Sequence, residues 1–231
     1  MHPEGSLLHI GINYVITPPP EINKGKLLSF QQAMIDTGID FDNVENGSRE
    51  IVLLKKTPSL QIRVIAAPDA PVGQLLVVAP HPHRTPEDFG REAEAIVRAF
   101  HNTWRTPRQI LSCDSTIRYL YEASEEHAFK ELWETRLGQS QDALAVFGRR
   151  VLGGGIRFVM PPEIGEEVPT QIEVKIESFL RDTKKIFIEV EFKWPQPKPP
   201  GTPFEPKRLI ALVDNYIEDQ VRSFMAEGHD E

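Results

Sequence analysis

Between Gln171 and Trp194 the chain alternates with a period of two. Ile172, Val174 and Ile176 are interleaved with Glu173, Lys175 and Glu177. After Arg181-Asp182-Thr183-Lys184, the residues Ile186, Ile188, Val190, Phe192 and Trp194 are interleaved with Glu189, Glu191 and Lys193. Successive side chains of a strand point to opposite faces, so the pattern predicts an antiparallel hairpin with one apolar face against a core and one charged face in water. The rest of the chain must then provide something apolar to lie on that face.

Two long amphipathic helices are the candidates. Thr85 is placed to cap the first, with Pro86 at its first position and Asp88 three residues after the cap. Phe89, Ala93, Ile96, Val97, Phe100 and Trp104 then form one apolar stripe. Near the C-terminus Leu209, Ile210, Leu212, Val213, Tyr216, Ile217, Val221 and Phe224 form the second stripe. Shorter helices are predicted around Leu27, Phe30 and Met34, stopping at Gly38, and around Phe129, Leu132, Trp133 and Leu137, capped by Ser124 and stopping at Gly138. Further strands are expected at Leu7–Ile16, in a Glu50–Ala67 hairpin turning at Thr57-Pro58-Ser59, at Gln74–Ala79, at Gln109–Tyr121 and at Ile156–Met160. Phe41–Ser48, rich in Asp, Asn and Gly, reads as loop, and Gly153-Gly154-Gly155 as a tight turn or bulge. Residues 195–206 hold six prolines and read as an extended loop.

The order strand, helix, three strands, long helix thus occurs twice, over residues 1–106 and 107–231. The expected class is α+β, with two similar halves, each an antiparallel sheet with helices packed on one face. In this order of elements the chain resembles the duplicated saddle of the TATA-binding-protein-like fold. Each half of that fold is a curved antiparallel sheet with helices on one side. Residue identities do not repeat between the halves and no motif carries the resemblance, so it implies a fold and no function.

Composition narrows the classes of partner. A chain of 231 residues buries enough surface to need no disulfide or metal staple, and Cys113, the single cysteine, cannot form an intramolecular disulfide. Met1-His2-Pro3-Glu4-Gly5-Ser6 lacks the basic and apolar regions of a signal peptide. The longest apolar runs, such as Leu75-Leu76-Val77-Val78-Ala79, fall far short of the roughly 20 residues that span a bilayer. A cytoplasmic protein with no membrane partner is expected. The net charge is −8, with 10 Lys and Arg against 12 Asp and Glu in residues 1–106 and 16 against 22 in residues 107–231. Nucleic acid is bound chiefly by clustered cations, so this balance argues against it in either half.

The most suggestive local run is Val77-Val78-Ala79-Pro80-His81-Pro82-His83-Arg84, between a strand and a capped helix. Such junctions attract anions, which makes His81, His83 and Arg84 the candidate ligand-binding residues. The run resembles the oxyanion-loop segment of some α/β-hydrolases. That family also requires a Gly-x-Ser-x-Gly elbow, and Gly138-Gln139-Ser140-Gln141-Asp142 lacks the second glycine. Two histidines are too few for zinc, so no metal site is assigned, and no cofactor. Gly153-Gly154-Gly155 precedes a strand and lacks the lysine of a P-loop. Cys113 reads as a core residue, His127 as solvent-facing, His101 as half-buried, and Trp104, Trp133 and Trp194 as core aromatics. Asp214, Glu218, Asp219 and Arg222 read as the polar face of the last helix. No catalytic residue is assigned. The expected function is therefore a non-catalytic binding or scaffold protein acting through protein–protein contacts, with either a protein partner or self-association through edge strands. The alternative is an enzyme or small-ligand-binding protein with a site between the halves near His81, His83 and Arg84.

Overall fold

The computed structural model describes residues 5–67, 69 and 71–226. In chain order the elements are β1 (Gly5–Thr17), α1 (Lys24–Ile35), β2 (Asn43–Asn46), β3 (Glu50–Lys55), β4 (Leu60–Ala66), β5 (Gly73–Pro80) and α2 (Pro86–Thr103). They continue with β6 (Gln109–Glu122), α3 (Ala128–Lys130) running into a π-helical turn Glu131–Arg136, a 3₁₀ helix Gln141–Phe147, β7 (Gly155–Met160), β8 (Gln171–Ser178) and β9 (Lys185–Trp194). The chain ends in α4 (Pro206–Tyr216), a π-helical turn Ile217–Val221 and α5 (Arg222–Ala226).

Among the described residues, all nine strands join one antiparallel sheet in the order β2-β3-β4-β5-β1-β6-β9-β8-β7. The α+β class is as expected, but there is one sheet, not one per half. The cause is the pairing of β1 with β6, strands of 13 and 14 residues that lie side by side, with Ile10 opposite Ile117 and Tyr14 opposite Cys113. Each would otherwise present a long unpaired edge, and pairing them removes both edges at once. A single row runs across the helix-covered face with one residue from each strand: Val44, Leu53, Ile62, Val77, Ile12, Ser115, Phe192, Ile172 and Met160.

Helices α2 and α4 pack against each other, and α1 packs against α2. The cap of α2 is as predicted, with Thr85 Oγ1 accepting from the Asp88 N–H at 3.1 Å. Phe100 and Trp104 from its stripe are buried, with ring centres 4.9 Å apart, and Phe30 of α1 meets Trp104 edge-on at 5.2 Å. The proline-rich loop is strapped to β6 by the Lys198 N–H donating to the Ile110 carbonyl at 2.8 Å. It inserts Phe204 against Tyr14, with ring centres 4.6 Å apart.

Three local expectations are corrected. Asn43–Asn46 is a short strand, not loop: Val44 lies opposite Leu53, and four residues are too few to display an alternation. The helix after β6 is capped by His127, whose Nδ1 accepts from the Phe129 N–H at 3.1 Å. Ser124 instead gives its N–H and its hydroxyl to the buried Glu131 carboxylate, at 2.6 and 3.0 Å. The three glycines form no tight turn. They let the chain approach its neighbours closely: a side chain on Gly154 would lie 2.9 Å from the Phe129 ring, and one on Gly155 would lie 2.4 Å from the Ile176 carbonyl oxygen.

Candidate functional site

The outer strands of the C-terminal portion differ on their two faces. On the face away from the helices, Arg118, Glu189, Lys175 and Arg157 lie opposite one another in register. Arg118 Nε and Lys175 Nζ each reach Glu189 at 2.5 Å, and Lys175 and Arg157 reach Glu173 at 3.2 and 2.9 Å. Glu173 is only 6% exposed and Glu189 8%, although alternation places both on the wet face. The long Arg and Lys side chains lie over them and exclude water. The hydrogen bond from Arg157 holds the Glu173 carboxyl below its ordinary range. Burial works to raise Glu189, and the bonds from Lys175 and Arg118 outweigh it, so that it too is lowered.

On the helix-covered face, a groove of about 450 Å³ runs between β7 and β8 on one side and the α4–α5 segment on the other. Phe158, Met160, Val174 and Ile176 form its floor, and Tyr216, Val221 and Phe224 form its wall. Its lining also includes Arg157 and Val159, which alternate onto the other face, so the groove reaches the outer edge of β7. Phe158 and Phe224 meet edge-on at 5.6 Å, and the Arg136 guanidinium lies 5.9 Å from the centre of the Phe224 ring. Tyr216 Oη is 3.5 Å from Met160 Sδ. The volume is within the range of ligand pockets and the lining is mostly apolar. The π-helical turn matters for the wall. Val213, Ile217, Val221 and Met225 are spaced by four and all buried. In a straight α-helix such a row drifts about 40° per step, and the wider turn offsets that drift, keeping the row on the core.

The two edges of the sheet are unlike. β2 is short and reads Asn-Val-Glu-Asn, a polar edge of the kind that resists further pairing. β7 carries apolar side chains on both faces, with Phe158 39% and Val159 53% exposed.

The residues singled out from sequence do not converge. His81 and His83 are exposed. His81 has φ of 48°, in the left-handed region, and its N–H donates to the Leu8 carbonyl at 2.7 Å. Arg84 turns inward, where Nη1 meets the Glu92 carboxylate and Nη2 donates to the Ser59 carbonyl at 3.2 Å. Nothing in the sequence pointed to His9, which lies opposite Arg118 on the open face. Burial, then the charge of Arg118, lowers its imidazole to about 4. An unfolded histidine takes its proton near 6.5, before the folded one does. Stability is therefore complete above about pH 6.5 and is lost as pH falls toward 4. An NMR titration will place the His9 midpoint near 4, and His9→Gln will flatten the pH dependence of stability across that window. Cys113 is buried, and burial raises its thiol to about 11, which suits a core residue and not a nucleophile.

Among the described residues no group of three or more His, Cys, Asp or Glu is placed to hold a metal ion, and no helix is long and apolar enough to cross a membrane. The chain matches no protein-family model, and no curated protein matches its sequence.

Proposed function

We propose that this chain is a cytoplasmic, non-catalytic binding or scaffold protein that acts through protein–protein contacts. Residues 1–106 and 107–231 are read as two copies of one unit, arranged as in a TATA-binding-protein-like saddle. The strand order supports that reading: outward from the centre, β1-β5-β4-β3 on one side corresponds to β6-β9-β8-β7 on the other, and β2, outside β3, is an extra strand with no counterpart among the described residues. The observation that carries the function is the apolar groove opening onto an apolar edge strand that is unpaired among the described residues, with Phe158 at its rim. Apolar surface joined to a free sheet edge is a liability unless a partner covers it.

Affinity purification from the source cells, with the wild type and Phe158→Glu side by side, tests this. A partner identified by mass spectrometry that is present with the wild type and absent with the variant is expected. No Phe158-dependent partner, together with a strict monomer in light scattering, would refute the reading.

One observation favours a small-ligand site near His81, His83 and Arg84. The left-handed backbone at His81 is costly for a residue with a side chain, and such conformations concentrate at functional sites. Arg84, committed to Glu92 and Ser59, is the weak member of that set.

A further inference from the structure

We propose, building on the protein-binding reading, that the partner is an extended segment of another protein added as a further antiparallel strand on β7. It would place apolar side chains in the groove and an acidic side chain opposite Arg157.

The outward backbone groups of β7 can be identified. The Ser178 N–H donates to the Gly154 carbonyl at 2.9 Å, so Gly154 and Ser178 form a hydrogen-bonded pair. Such pairs alternate along an antiparallel ladder, which puts Ile156, Phe158 and Met160 in bonds to β8. The N–H and C=O groups of Gly155, Arg157 and Val159 therefore point away from the sheet. They form a ready template for strand addition, a recurring mode of peptide recognition.

Side-chain preferences follow from register. Residues of an added strand opposite Ile156, Phe158 and Met160 fall on the helix-covered face, beside Phe224 and Val221, and favour apolar types. The residue opposite Arg157 falls on the charged face. There the row Arg118, Glu189, Lys175, Arg157 ends on two cations in succession. Arg157 donates from Nε to Glu173, and its side chain is largely exposed, with its terminal nitrogens free of partners among the described residues. A carboxylate opposite Arg157 offsets the excess cation at the end of the row, and a cation there is repelled.

The same register argues against a second copy of this chain as occupant. When β7 pairs with β7 about a two-fold axis, outward residues face outward residues, so Arg157 meets Gly155, Arg157 or Val159. The opposite edge offers no acid either. The Gly47 N–H donates to the Glu50 carbonyl at 2.8 Å, and alternation then turns Glu45 inward to β3 and leaves Val44 and Asn46 outward.

The probe is a phage-displayed library of random peptides about ten residues long, the upper length of an ordinary strand, selected on the full chain. Recovered peptides are expected to alternate apolar and polar residues around an Asp or Glu. By fluorescence anisotropy at low salt, changing that acid to Lys weakens binding about fivefold, the size of a partly exposed cross-strand charge pair. Arg157→Gln removes the difference between the two peptides. Val159→Pro, which deletes an outward N–H and spares the bonds to β8, abolishes binding of both while the circular dichroism spectrum stays native. Failure to recover period-two peptides, indifference to Val159→Pro, or equal binding of the acidic and basic peptides to the wild type overturns strand addition. So does a wild-type dimer in light scattering that Val159→Pro dissolves, since the occupant would then be a second copy. A Phe158-dependent partner recovered alongside any of the first three results leaves the protein-binding reading standing and removes this mode alone.

Discussion

Replacing Phe100 with alanine will lower the unfolding free energy by about 3–5 kcal/mol, the cost of emptying a large site in a core that cannot close over it. Phe100 is 0% exposed and is touched from three directions. Trp104, the residue that ends the same helix, lies against it with ring centres 4.9 Å apart. Phe204 approaches from the proline-rich loop at 6.4 Å, and the Arg108 guanidinium stands 5.3 Å from the ring centre. Collapse is resisted because each neighbour is tied elsewhere. Trp104 Nε1 donates to the Glu21 carbonyl at 2.7 Å, and Arg108 Nη1 donates to the Trp104 and Thr106 carbonyls, both at 2.9 Å. The cavity therefore persists, and Arg108 loses the aromatic face it lies on. In urea titrations the midpoint should fall with little change in slope, which marks a loss of stability and not of two-state behaviour. Leu212→Ala, on the exposed side of α4, should change stability by no more than about 0.5 kcal/mol. A Phe100→Ala cost below about 1 kcal/mol would mean that the stripe is not the centre of the core.

Much of this core was legible in advance, because each signal was local and repeated. The stripe from Phe89 to Trp104 and the alternation from Ile186 to Trp194 each commit many residues to one period, and Thr85 caps α2 as its sequence predicts. What could not be read depends on long-range choices. The alternation of β1 and β6 is the same whether they edge two sheets or pair with each other in one, so the single sheet was invisible. Glu173 follows the expected alternation, and its burial depends on where Arg157 and Lys175 lay their side chains. The groove combines Phe158 with Tyr216 and Phe224, residues far apart in the chain, and the π-helical turn that aligns its wall leaves no mark in the sequence. One sign was available. Ile156, Phe158, Val159 and Met160 put apolar residues on both faces of one strand, which an ordinary wet-faced edge does not do. Residues two apart share a face only in extended backbone, and the left-handed conformation at His81 breaks that geometry between His81 and His83.

Replacing Glu92 with alanine will cost about 3 kcal/mol, although the change removes only a carboxylate from a helix whose apolar stripe is untouched. Arg84 and Glu92 have side chains only 8% and 16% exposed, and the pair ties the segment after β5 to the second turn of α2. Truncating one partner leaves the other charged and poorly hydrated, which is why broken buried pairs are far more costly than absent ones. The cost falls at the low end of the roughly 3–5 kcal/mol of a broken buried pair, because Arg84 keeps the Ser59 carbonyl as an acceptor when Glu92 is removed. The double replacement Arg84→Met with Glu92→Leu should recover most of the loss, since an apolar pair of similar volume needs no compensation. Thermal melts of the two single variants and the double variant form a complete cycle, and a coupling of about 2 kcal/mol or more identifies the pair as structural. Near-additive losses would free Arg84 for another role. In that event His83→Ala and His81→Ala become informative: an unchanged melting temperature with lost ligand-induced stabilisation would return the small-ligand site to first place. A strongly coupled cycle takes the guanidinium out of that site, and two exposed histidines, one of them held in a left-handed turn, are then all that remains of it.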